Sequence, residues 1–217
     1  MLYFSKDVDI LRYEATLFGE LHFPWQVLCE GTGGALSGTT FSKTGENFTA
    51  AGVQAGGVIY LQDSSGLDGA YEIVSVDSAT SLTVSVVRAD EDGSAVSPGG
   101  GSDVSYRVST FAPQANEALF ALTQYFGIGP GHPNSVYDID DIVDASVLKR
   151  ASVYAVITAI YAALAGRDGD DGFWKKSLYY QKLFEQSRQR CQLSIDIDGD
   201  GSGDSNLAGC DIRLVRD

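Results

Sequence analysis

The sequence predicts an α+β protein: a helical core of about four helices, an inserted small antiparallel β-barrel or sandwich, and a C-terminal β-hairpin arm. Three observations predict it. Apolar residues fall at helical spacing in residues 7–28 and again in 111–190. Between those segments they alternate with polar residues, which is the period of a half-buried strand. Alternation returns after Arg190. The expected organisation is therefore a discontinuous helical core (1–28 and 111–190), an inserted β domain (29–110) and a β arm (191–217).

Each element has its own signal. In the first helix Asp7 or Asp9 provides the cap, Ile10, Leu11, Leu17 and Phe18 suit one face, and Pro24 ends it. The run Gly31-Thr32-Gly33-Gly34 reads as a flexible junction before the strands. Val58–Leu61, Tyr71–Val76, Leu82–Val86 and Val104–Val108 then read as short strands separated by Gly- and Asp-rich turns, the pattern of a small barrel or sandwich. Pro113 sits at a first-turn position and Gly127 at a helix end. Asp144 or Ser146 caps a helix carrying Val147, Tyr154, Ile157, Tyr161 and Leu164, with Val153, Val156 and Ile160 widening its apolar surface, so neighbours must enclose it. Asp170 or Asp171 caps the last helix, Phe173–Arg190, whose basic end suits the helix dipole. The arm is expected to pair Leu193, Ile195 and Ile197 with Ile212, Leu214 and Val215.

Composition narrows the function. The chain has 217 residues and a formal net charge of −14. So few cations disfavour tight duplex binding through phosphate neutralisation. An acidic surface suits a solvated protein or a channel through which DNA slides without sticking. Three cysteines, Cys29, Cys191 and Cys210, make a poor disulfide framework and read as reduced thiols; the alternative is one disulfide between Cys191 and Cys210, which flank the expected hairpin. The N-terminus lacks a secretory pattern, and Ala151–Ala165 falls short of the roughly 20 residues of a membrane span. It reads as a buried helix, and no membrane association is expected.

Catalytic motifs are missing from the sequence, and the expectation is a non-enzyme. The two histidines, His22 and His132, cannot build a multi-histidine metal site, and neither sits in a recognisable catalytic pattern. There is no nucleophile elbow and no phosphate-binding loop. Asp138, Asp140, Asp141 and Asp144 precede a helix, where carboxylates complement its positive end. The sharpest motif is Asp196-Ile197-Asp198-Gly199-Asp200-Gly201-Ser202-Gly203-Asp204. Asp196, Asp198, Asp200 and Asp204 resemble the opening ligands of a Ca²⁺ loop, but its twelfth position is Leu207 rather than a bidentate glutamate. The alternative is a solvated hairpin turn, and otherwise no cofactor is expected.

Three stretches also resemble a known family. Asp9–Glu14 running to Leu21-His22-Phe23-Pro24 is similar to the first helix and exit of the head-to-tail connector (adaptor) proteins of tailed bacteriophages. Gly52–Leu61, Gly69–Val76 and Leu82–Ser85 look like small barrels inserted in phage structural proteins, and Val147–Leu164 with Phe173–Arg190 is similar to the connector's helical core. The resemblance covers most of the chain. It implies a homo-oligomeric ring of about twelve copies with closed heterologous symmetry. That ring would lie in the virion neck, after assembly in the bacterial cytoplasm, between the portal protein and a downstream stopper or tail protein, with DNA in its lumen. It also implies a C-terminal arm for a neighbouring ring, here Ile212, Arg213, Leu214, Val215 and Arg216. A calcium-dependent surface or glycan-binding module is the second reading, and a hydrolase with dispersed carboxylates the third.

Overall fold

A computed structural model describes residues 3–168 and 171–209. The protein is α+β, with four α-helices, a closed six-stranded antiparallel barrel and a two-stranded hairpin. It divides into two compact units, Lys6–Phe111 and a second made of the first five residues with Ala112–Asp217. Residues 6–28 thus fall with the strands, where the sequence placed them with the helices.

The first unit opens with a single short helix, α1 (Asp7–Leu11), followed by 3₁₀ turns at Ala15–Leu17 and Pro24–Gln26. The expected longer helix does not form. Further along, two carbonyls that a continued helix would use are taken, since Arg107 Nη2 donates to the Phe18 and Gly19 oxygens at 3.0 and 2.7 Å. The barrel strands are β1 (Val27–Ser37), β2 (Thr40–Ser42), β3 (Val58–Gln62), β4 (Asp68–Ser78), β5 (Ser81–Ser85) and β6 (Gly101–Ser109). Their order round the barrel is β1-β2-β5-β4-β3-β6. Closure leaves no unpaired edge. Register follows the alternation seen in the sequence: Ile59 lies opposite Val108, and Ile73 opposite Val84. Those side chains join Phe41, Phe48, Leu61, Leu82 and Val104 inside. Each large apolar side chain so buried contributes about 1.5–3 kcal/mol.

The glycine run expected to be a flexible junction is part of β1. Pairing of β1 with β6 shifts register between Gly31 and Gly34 and again at Ala35. The missing side chains are the reason this stretch remains in the barrel wall. A Cβ on Gly34 would lie 2.6 Å from the Phe41 ring, and one on Gly31 would lie 3.1 Å from the Tyr106 hydroxyl. Aromatic rings lie directly over bare backbone here, which a bulged strand permits.

The second unit is built on α2 (Ala112–Phe126), α3 (Lys149–Asp168) and α4 (Asp171–Arg190). Helix α3 packs against both others. Ala151, Val156, Ile157, Ile160, Tyr161 and Leu164 are completely enclosed. Tyr161 stacks on Tyr180 at 6.2 Å, and Ser177 donates to the Thr158 carbonyl at 3.1 Å. Together with the preceding 3₁₀ turn, Ala145–Arg167 is long and apolar enough to cross a membrane by length and composition, so the shorter stretch read from the sequence understated it. Within this unit 56% of its most apolar window is buried.

The expected acidic caps form. Asp138 accepts from the Asp140 amide at 2.8 Å, and Asp144 from the Ser146 amide at 2.9 Å. Gly127, at φ +72°, ends α2 as anticipated. After α4 the chain forms β7 (Gln192–Ile195), paired with β8 (Ser205–Ala208). Ser205–Ala208 is the partner of β7 among the described residues, and the expected strand Ile212–Val215 lies outside them. Strand β7 is not a free arm. Leu193 and Ile195 are fully buried in the same cluster as Phe4, Leu122, Phe126 and Leu148, and the Val143 amide donates to the Ser194 carbonyl at 3.0 Å.

Candidate functional site

The β7–β8 turn gathers the acidic motif. Carboxylate oxygens of Asp196, Asp198 and Asp204 all lie within 4.8 Å of one another, the only such group of three metal-ligating side chains among the described residues. The sequence had set Asp200 beside them. Its carboxylate instead accepts the Ser202 amide at 2.7 Å and stands outside the group. Local turn chemistry organises the rest. Asp196 takes the Gly199 and Gly201 amides, both at 2.7 Å, and Asp204 takes the Ile197 amide at 2.9 Å. Gly199 and Gly201 adopt φ of +78° and +84°, a region glycine enters without strain. Those amides hold the Asp196 carboxyl below the ordinary carboxylate range. Three convergent carboxylates suit a hard cation, but Leu207, at the position where a Ca²⁺ loop carries its bidentate glutamate, lies in β8 and offers no oxygen.

The barrel carries a groove of ≈ 440 Å³ bordered by Glu30, Tyr60, Gln62, Ser105 and Arg107. The Arg107 guanidinium sits 5.1 Å over the Tyr60 ring. The Tyr60 hydroxyl donates to Asp68, which raises its pKa, and Tyr106 donates to Glu46, with burial as the larger cause of its own upward shift. These contacts tie down the two tyrosine hydroxyls. Cys29 likewise has its thiol pushed up to about 12 by burial, and burial raises that of Cys191. Neither is a reactive thiolate. His22 makes a 2.9 Å contact through Nδ1 with the Gly19 carbonyl oxygen, at the bend that the sequence had read as a helix end.

No family, curated protein or solved structure matches the chain.

Large apolar side chains are also exposed, among them Trp25 and Val136 as well as three on α4. On α4, Trp174, Leu178 and Tyr179 are 52%, 46% and 60% exposed. Trp174 and Leu178 lie one turn apart and share a face. The sequence had assigned Trp174 and Leu178 to the last helix without distinguishing inward from outward positions. The partner-binding residues expected from the resemblance, Ile212, Arg213, Leu214, Val215 and Arg216, lie outside the described residues, as does Cys210.

Proposed function

We propose that this chain is a structural, non-enzymatic subunit of a tailed-phage neck. About twelve copies form a closed ring around the DNA channel. The ring lies in the virion between the portal protein and a downstream stopper or tail protein, and Ile212–Arg216 reach toward the partner. The observation that carries this reading is the set of exposed apolar side chains on α4, Trp174 and Leu178 on one face and Tyr179 off it. Side chains of this kind, set in an otherwise acidic protein of net charge −14, suit a contact with a sister copy better than contact with water. The same charge repels phosphate and so suits a lumen through which DNA moves without sequence-specific binding.

The test is binding to purified portal rings, with and without residues 212–217. The intact chain is expected to decorate the ring. The truncated chain is expected to keep its melting temperature and lose decoration. An intact chain that decorates no portal, or a truncated chain that decorates normally, would count against the reading.

The convergence of Asp196, Asp198 and Asp204 favours one alternative, a calcium-dependent surface or glycan-binding module. Its mark is a melting temperature that rises with Ca²⁺ and a glycan affinity that EGTA abolishes.

A further inference from the structure

The groove on the barrel crosses three neighbouring strands, and register sets its walls. Glu30 on β1 lies opposite Arg107 on β6, and Arg107 lies opposite Tyr60 on β3. Two residues along, on the same outward face, Ser105 lies opposite Gln62, and Gln62 opposite Asp68 on β4. The groove's cation, Arg107, is held in place, with Nη2 on two carbonyls and its guanidinium over the Tyr60 ring. Glu30 in the wall and Asp68, which accepts the Tyr60 hydroxyl, are both exposed.

The unit that carries this groove is strongly acidic. Lys6–Phe111 holds fourteen Asp and Glu against five Lys and Arg. Three of the five cations are taken up by ion pairs within the unit: Lys6 with Glu91, Arg12 with Asp9, and Arg88 with Glu72. Helix α4 has the opposite balance, with five Lys and Arg against two Asp and Glu. Trp174, Leu178 and Lys182 follow one another at one-turn intervals along α4, and Lys175 adjoins Trp174. All four are exposed, and among the described residues neither lysine makes an ion pair.

We propose that the barrel groove receives Trp174 of a second copy, with Lys175 and Lys182 of that copy set against the acids around it. Charge complementarity selects the occupant. A chain of net charge −14 repels its own copies on average, so copies can meet only where a cationic surface faces an acidic one. The face of α4 is such a cationic surface. Shape agrees with charge, since an exposed indole flanked by lysines is convex and the groove of ≈ 440 Å³ is concave. Gln62, Ser105 and Glu30 supply acceptors for the indole N–H and the ammonium groups.

The two surfaces are different, so the contact is head to tail. Each copy offers its groove to one neighbour and its α4 to the other, as a heterologous ring requires. The inference rests on the proposal that copies of this chain assemble, and it names the surfaces by which they meet.

Disulfide trapping between chains tests it. Leu178→Cys and Gln62→Cys are placed in separate chains, each also carrying Cys29→Ser, Cys191→Ser and Cys210→Ser. Circular dichroism melting checks that each chain folds, and oxidised glutathione is the oxidant. The two chains mixed are expected to form the disulfide-linked pair at roughly ten times the yield of either chain alone, because docking raises the effective thiol concentration. Replacing the Gln62→Cys chain by one with Asp77→Cys, an exposed residue outside the groove, should remove that excess. Equal yields with Gln62→Cys and Asp77→Cys would overturn the assignment. So would a dominant disulfide between two Leu178→Cys chains, which would mark a two-fold contact instead.

A second measurement leaves the cysteines in place. In a chain with Trp25→Phe, the emission of Trp174 should move to shorter wavelength as protein concentration rises. Glu30→Lys with Asp68→Lys should abolish that movement. Emission independent of concentration, or unaffected by the two substitutions, would overturn the assignment. Neither readout uses a portal. Portal rings decorated by chains that give no groove disulfide would leave the neck reading standing and end this one, and a groove disulfide without decoration would do the reverse.

Discussion

Arg88 closes on Glu72 with Nη2 2.7 Å from Oε1, and the two side chains are only 10% and 2% exposed. The Arg88 amide and Nε also reach the other carboxylate oxygen, at 3.1 and 3.3 Å. The guanidinium then donates to the Glu91 and Gly93 carbonyls, both at 2.6 Å. One side chain thus ties the polar loop after β5 to the wall of the barrel. Arg88→Ala leaves the Glu72 carboxylate enclosed without its partner, which costs about 3–5 kcal/mol. Urea unfolding should show a midpoint lowered to match. Amides of residues 90–93 should exchange faster as the loop comes free. An unchanged midpoint would show that the pair contributes no net stability.

Gly34 tests the aromatic lid over β1. Its Cβ would stand 2.6 Å from the Phe41 ring, and Phe41 is fully enclosed. Gly34→Ala therefore forces the ring or the strand to move, at about 1–3 kcal/mol. Gly38 has nothing within 4 Å of a built Cβ, so steric overlap is not at issue there. A chemical-denaturation series on Gly34→Ala with Phe41→Leu as a second change should show the loss partly recovered in the double variant.

Asp7 ties stability to pH. Burial raises its carboxyl from 3.8 to about 6, against the lowering effect of the Phe111 amide that it accepts at 2.8 Å. The folded state then holds a proton that the unfolded state has released. Stability from this group is fully present below pH 3.8 and falls as the pH rises to about 6. The loss over that window is on the order of 3 kcal/mol. Asp7→Asn keeps an acceptor for the amide and removes the titration. The difference in unfolding free energy between wild type and Asp7→Asn should therefore change in the variant's favour between pH 4 and pH 7, and a constant difference would contradict the assignment.

Asp196 organises the β7–β8 turn through the Gly199 and Gly201 amides. Its carboxyl lies below the ordinary range, so the turn should stay ordered on acidification past the usual carboxylate pKa and loosen only below it. Asp196→Ala should speed hydrogen exchange of those two amides without changing global stability. If their exchange is unaltered, the carboxylate does not hold the turn.

Much of this fold is legible in the sequence, and the gaps have physical causes. Leu82, Val84, Val104, Tyr106 and Val108 alternate because one face of each strand is the barrel interior, so β5 and β6 could be read directly. The strand β1 was hidden, because the glycines that read as a junction are there to make room for Phe41 and Tyr106, rings supplied from elsewhere in the chain. Residues 12–28 carried helical spacing, yet Arg107, distant in sequence, binds the Phe18 and Gly19 carbonyls, two that a helix would have used. The returning strand Ser205–Ala208 has too few apolar residues to show a period, and its register comes from pairing with β7. At the candidate site the aspartates were visible as a motif. That Asp200 turns away to cap Ser202 depends on the backbone path through two left-handed glycines, which residue types alone do not specify.

Ring formation, proposed above for this chain, can be seen by electron microscopy of the concentrated protein with purified portal. Closed rings of roughly twelve subunits are expected, with Trp174→Glu and Leu178→Glu together abolishing them while the melting temperature holds. Particles that remain single chains under every condition, or rings unaffected by charge placed on that face of α4, would contradict it.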